Sequence, residues 1–251
     1  MVLAILVLFF AVVVSGLLVK VFPPAKSLWL KLALAFSGAY LFTITIIHLL
    51  PDVLQNSPNP QAVGYWVLAG FFLQLVLELF SQGVEHGHIH THTHEHGRIG
   101  SMPFLLLGSL LVHSFLEGSI LVQPASQHLG HAHQQQSSFY LVLLGVALHH
   151  IPAGFALMSV LLSRLENFRK AFLWLLLFAL GSPLGILVSN LLLNEAPNGA
   201  VYTALTGLVA GNFLHISTTI LFETSPEHHV NRNKLVATLL GLLLALGSNL
   251  L

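Results

Sequence analysis

The sequence contains no cysteine, and only 7% of its 251 residues carry a charged side chain. Without cysteine, disulfides, thiolate nucleophiles and thiolate metal ligands are all excluded. A soluble domain has about 25% charged residues, so a chain this poor in charge belongs in lipid. Nine Lys and Arg balance nine Asp and Glu with no basic run, which offers nucleic acid nothing to bind. No His-Glu-x-x-His sequence occurs, so the helical zinc-protease motif is missing as well.

What is present in excess is apolar residues, at 55%, and histidine, at 16 copies. With sulfur absent, a metal would be held by imidazole and carboxylate, a donor set that suits zinc or iron(II). Crossing a bilayer takes roughly 20 mostly apolar residues in a helix. Eight stretches qualify, at 1–19, 32–51, 62–82, 103–122, 139–162, 171–193, 200–222 and 235–251. The apolar runs are continuous rather than alternating, which predicts helices and not a barrel. The first stretch lacks the basic n-region of a signal peptide and is followed by Lys20, so it reads as a retained span. The expectation is therefore an all-α, polytopic bundle of eight helices, with residues 1–251 forming one domain.

The basic residues orient that bundle. Lys20, Lys26 and Lys31 fall between spans 1 and 2, and Arg98 between 3 and 4. Arg164, Arg169 and Lys170 fall between 5 and 6, and Arg232 and Lys234 between 7 and 8. All nine lie on one side, which the positive-inside rule makes cytoplasmic, so both termini are expected outside.

Ionisable residues inside spans cost at least about 2.5–3.5 kcal/mol each, so their positions point to function. His113 and Glu117 lie near the middle of span 4, four residues apart and so on one helix face, about 5–6 Å from each other. His149 and His150 lie near the middle of span 5. Two helices thus bring nitrogen and oxygen donors to one depth, where a divalent cation would offset the cost of burying them. A bare hydrogen-bonded pair would explain His113 and Glu117 alone, but not four such residues. Pro152 cannot donate to the carbonyl of Leu148, which frees a backbone oxygen beside His149 and is expected to kink the helix there.

"HSFLEG" in span 4 with "HHIPAG" in span 5 resembles the paired metal-binding motifs of the ZIP (Zrt/Irt-like) family of divalent-metal transporters. "FSGAYLFTITIIHLLPD" (36–52), "GSPLGILVS" (181–189) and "GLVAGNFLHISTTILFETSPE" (207–227) are similar to its second, sixth and seventh spans. The resemblance implies uptake of zinc, or of Fe²⁺, Mn²⁺ or Cd²⁺, toward the cytosol, with no organic cofactor. It also implies that His113, Glu117 and His149 are ligands of the principal site, and that Ser114 and His150 stand at second-site positions. Ala153 departs from the family pattern, in which many members carry His or Glu there.

Other polar residues fall in order of depth: His48 and Asp52 at the external end of span 2, and Glu78, His215 and Glu223 toward the cytoplasm. They offer acceptors at both mouths of a path, as ion conduction requires. Gln74 and Asn190 read as interhelical hydrogen-bond partners. The loop at 84–100 carries His86, His88, His90, His92, His94 and His96 at alternate positions, which suits a loose cytoplasmic metal buffer. The glycines of "GLVAG" (207–211) and "GSPLG" (181–185) permit close helix contact, either within the bundle or in a homodimer.

The functional expectation is a plasma-membrane carrier of divalent transition metal, zinc first, working on a bilayer-embedded site and not an enzyme. The alternatives are a membrane metalloenzyme with clustered histidines, or a metal sensor that does not transport.

Overall fold

The structure, a computed structural model, describes residues 1–22, 28–81, 83–84, 102–122, 132–195, 199–222 and 232–248. Every regular element among the described residues is helical. The order is α1 (Val2–Leu18), α2 (Leu28–Ile44), a π-helical turn (Thr45–Leu49), α3 (Leu50–Asn56), α4 (Pro60–Ser81) and α5 (Met102–Ser119). Then follow α6 (Ala132–Leu165), α7 (Phe168–Ala179), α8 (Gly181–Glu195), α9 (Ala200–Phe222) and α10 (Arg232–Ser248). Five continuous stretches, Leu28–Asn56, Pro60–Ser81, Ser138–Leu165, Phe168–Leu193 and Ala200–Phe222, are long and apolar enough to cross a membrane. Val2–Leu18 and Phe104–Ser119 are apolar but shorter. The protein is an integral membrane protein, and its rods fall where the eight apolar stretches lie.

Two of those rods are interrupted, and proline is the cause in both. Pro51 has no N–H for the carbonyl of Ile47, and the chain widens into the π turn Thr45–Leu49 just before it. The hydroxyls of Thr43 and Thr45 donate to the carbonyls of Ala39 and Leu41, each at 2.7 Å, which loosens the same stretch. Pro183 likewise leaves the carbonyl of Ala179 without its donor, and the chain turns at Leu180 between α7 and α8. Pro152 lies inside α6, which nevertheless runs on to Leu165.

The most extensive helix pairings are α4 with α9, α2 with α10, α1 with α6 and α5 with α8. Glycine makes three of these possible, with Gly241 of α10 set against the carbonyl oxygen of Phe36 on α2. A Cβ on Gly70 would strike the carbonyl oxygen of Leu208, and one on Gly211 that of Val67, so α4 and α9 meet backbone to backbone. In the same way Gly118 faces the carbonyl of Ser182, and Gly185 that of Phe115, joining α5 to α8. The glycines of 181–185 and 207–211 are thus used within the chain.

The apolar core divides along the depth of the bundle into two clusters. One contains Val12, Leu30, Leu110, Phe155, Leu175 and Ile216. The other contains Leu8, Tyr40, Leu116, Val146, Ile186 and Phe213. On both α5 and α6 the ionisable residues lie at the join between these clusters. At one end of the bundle the Lys20 ammonium sits 3.9 Å from the centroid of the Phe168 ring. That cation–π contact puts the basic connections after α1 and before α7 on the same side.

Candidate metal centre

α5 and α6 supply the four central side chains, and all are sealed from solvent: His113 is 2% exposed, Glu117 and His149 0%, and His150 1%. The helical repeat stacks His113 under Glu117, with Nε2 of the histidine 3.5 Å from Oε2 of the carboxylate. His149 approaches from α6, its ring 6.0 Å from that of His113 and at 86° to it. Donor atoms of His113, Glu117 and His149 all lie within 4.8 Å of one another, which is the spread a single ion could gather. Among the described residues, Oε1 of Glu117 and both ring nitrogens of His113 have no hydrogen-bond partner. Buried polar atoms normally find one, so this group is arranged for something other than itself. Two imidazoles and one carboxylate are a zinc-type donor set with room for a fourth ligand.

His150 is placed differently. Adjacent helix residues point about 100° apart, so its ring leaves α6 in a different direction from that of His149. Its Nε2 reaches Oε2 of Glu117 at 2.7 Å, while its ring lies 6.3 Å from that of Phe178 on α7. His149 and His150 therefore flank Glu117 from different sides of α6.

Ser182 on α8, which no spacing of ionisable residues marks out, also meets α5 here. Its hydroxyl donates to the carbonyl of Ser114 at 2.8 Å, and the two hydroxyl oxygens are 2.9 Å apart. The only signal was its place before Pro183 in a glycine-rich turn. Ser114 thus spends its side chain on α8, and Ala153, 6% exposed, has no donor to give. A single tightly held ion per chain is expected from this arrangement. Metal counting on protein whose six loop histidines are replaced by serine, equilibrated with Zn²⁺, checks it, and two tight ions would mean a bridging residue elsewhere.

The flanking residues fall into two separate groups. Toward one end, the Tyr202 hydroxyl donates to Oδ2 of Asp52 at 3.1 Å and the Asn56 amide to Oδ1 at 2.9 Å. His48 stands one turn before Asp52, half-buried in the π segment. Further along α4 and α9, His215 and Glu78 approach to 2.7 Å between Nε2 and Oε2, and nearby the Asn212 Nδ2 donates a hydrogen bond of 2.9 Å to Oε1 of Gln74. Gln74 is therefore the interhelical partner it was expected to be. Glu223 and the six loop histidines from His86 to His96 lie outside the described residues.

Residues 81–248 match the family model described as ZIP zinc transporter, a stretch that contains all four central side chains. Over 134 residues the chain is 28% identical to protein zntD of Dictyostelium discoideum, covering 52% of this chain and 18% of that protein. Over 122 residues it is 31% identical to a candidate zinc transporter of Arabidopsis thaliana, covering 48% of this chain and 19% of the relative. The chain therefore spans about a fifth of the length of either. With well over half of its residues inside the family match, and with the buried histidines and carboxylate that match contains, the chain belongs to the ZIP zinc transporter family.

Proposed function

We propose that this protein carries divalent transition metal ions, zinc first among them, through the plasma membrane into the cytosol, binding each ion at His113, Glu117 and His149. The observation that carries this reading is the convergence of three buried donors from two helices between two apolar layers. An ion bound there would be stripped of most of its water and held by neutral imidazoles and an ionised carboxylate. Asp52 and His48 would receive it at the outer mouth, and Glu78, His215 and Glu223 would pass it inward. The histidine loop would buffer it on arrival. Residues 1–251 act as one transport domain with both termini outside, the arrangement that puts every basic connection in the cytosol. One helix group would then move relative to another to open the cytoplasmic side.

Purified protein in sealed vesicles tests the reading, with Zn²⁺ uptake followed in competition with Fe²⁺, Mn²⁺ and Cd²⁺. Saturable zinc accumulation is expected. Binding without accumulation would make the protein a sensor, and conversion of an organic substrate would make it an enzyme. Protons compete with the ion for imidazole and carboxylate, so apparent affinity should fall as the pH is lowered. An affinity that stays constant between pH 5 and 8 would remove imidazole from the ligand set.

A further inference from the structure

His150 is as deeply buried as the three converging donors, yet it stands outside their set. An ionised carboxylate can only accept hydrogen bonds. At 2.7 Å from Oε2 of Glu117, the His150 Nε2 must therefore carry the hydrogen and donate it. A ring nitrogen that bears hydrogen has no lone pair to offer a metal. The free lone pair of a neutral His150 is then on Nδ1, on the far side of the ring from the carboxylate. Ligation through Nε2 would require His150 to surrender both its hydrogen and this bond. The Phe178 ring on α7 lies 6.3 Å from the His150 ring and borders it on another side.

We infer that His150 is a positioning residue: its Nε2–H clamps Oε2 of Glu117 and so holds the carboxylate, whose Oε1 has no hydrogen-bond partner, beside His113 for an ion shared with His113 and His149. Ser114, at the other second-site position, is already bonded to Ser182. This inference rests on the reading of His113, Glu117 and His149 as the ligands, and it adds that this chain's site is complete with two imidazoles.

The test is a count of imidazoles on bound zinc by X-ray absorption. It uses the full chain at one equivalent of Zn²⁺, with the six loop histidines from His86 to His96 replaced by serine. Two imidazoles are expected in the protein with His150 intact, and two again in His150→Gln, whose amide N–H can take over the donation. His150→Leu, which cannot donate, is expected to weaken zinc binding about 10- to 100-fold, the usual effect of removing a group that orients a metal ligand. His150→Gln should recover most of that loss. Three imidazoles in the protein with His150 intact would overturn the inference, a result that needs no variant to fold. Failure of His150→Gln to bind better than His150→Leu would overturn it too. If His113→Ala leaves zinc affinity untouched, the underlying ligand assignment fails as well, and that outcome is recognisable from His113 alone.

Discussion

Glu117→Ala is expected to abolish zinc uptake while leaving the protein inserted and folded. The carboxylate is fully buried at a depth where an ionised group costs at least about 2.5–3.5 kcal/mol, so truncation removes a burden on insertion. Against this, the Nε2–H of His150 loses its acceptor, a penalty of about 1–3 kcal/mol for a buried donor left without a partner. The two nearly cancel, and the thermal transition should move by only a few degrees. Transport has no such compensation. The carboxylate is the one anionic member of the ligand group, and without it a divalent ion would meet only neutral nitrogens in an apolar interior. Uptake by vesicles and unfolding in detergent, measured on the same preparation, separate the two effects. Near-normal uptake by a well-folded Glu117→Ala protein would remove this residue from the path.

Gly185→Leu should be the opposite case, a loss of the fold that takes the site with it. A Cβ at position 185 would run into the carbonyl oxygen of Phe115 and the amide of Ser119, which are backbone atoms of α5 and cannot swing aside. α8 would have to back away from the helix that carries His113 and Glu117. Overpacked core positions ordinarily cost about 1–3 kcal/mol, and a clash with backbone belongs at or above the top of that range. The expected result is a sharp fall in the yield of folded protein, with weak or absent zinc binding in what remains. Gly108→Leu, on the same helix as the ligands but facing open space, serves as the control and should behave like the unsubstituted protein. Equal tolerance at 108 and 185 would mean that the α5–α8 contact does not set the site.

The spans and the depth of the central residues were legible because both depend on local rules. An apolar run of bilayer length shows its own extent, and His113 and Glu117 share a face by helical repeat alone. The breaks in the rods were harder to see. Pro51 and Pro183 each remove one hydrogen bond, but whether the chain then kinks, widens or turns depends on what packs against it. At Pro152 the helix simply continues. Partners across helices were the least legible. Tyr202 lies in no motif, Ser182 and Asn212 lie in family-like stretches that give them no role of their own, and each acquires its role only when another helix brings Asp52, Ser114 or Gln74 alongside. The orientation of His150 belongs to the same class. The angle between neighbours on α6 gives its direction, but not where α5 stands relative to it.

The two apolar clusters that bracket the histidines have a kinetic meaning. An ion seated between them is enclosed above and below by packed side chains such as Val146 and Phe213 on one side, and Leu110 and Phe155 on the other. Among the described residues this packing closes both sides of the site, so under the proposed function the flux would be counted in whole cycles of the protein rather than in ions per opening. Electrical recordings should accordingly show no unitary conductance steps. Uptake should instead saturate with zinc at a turnover number set by how fast those layers unpack, and should slow steeply on cooling.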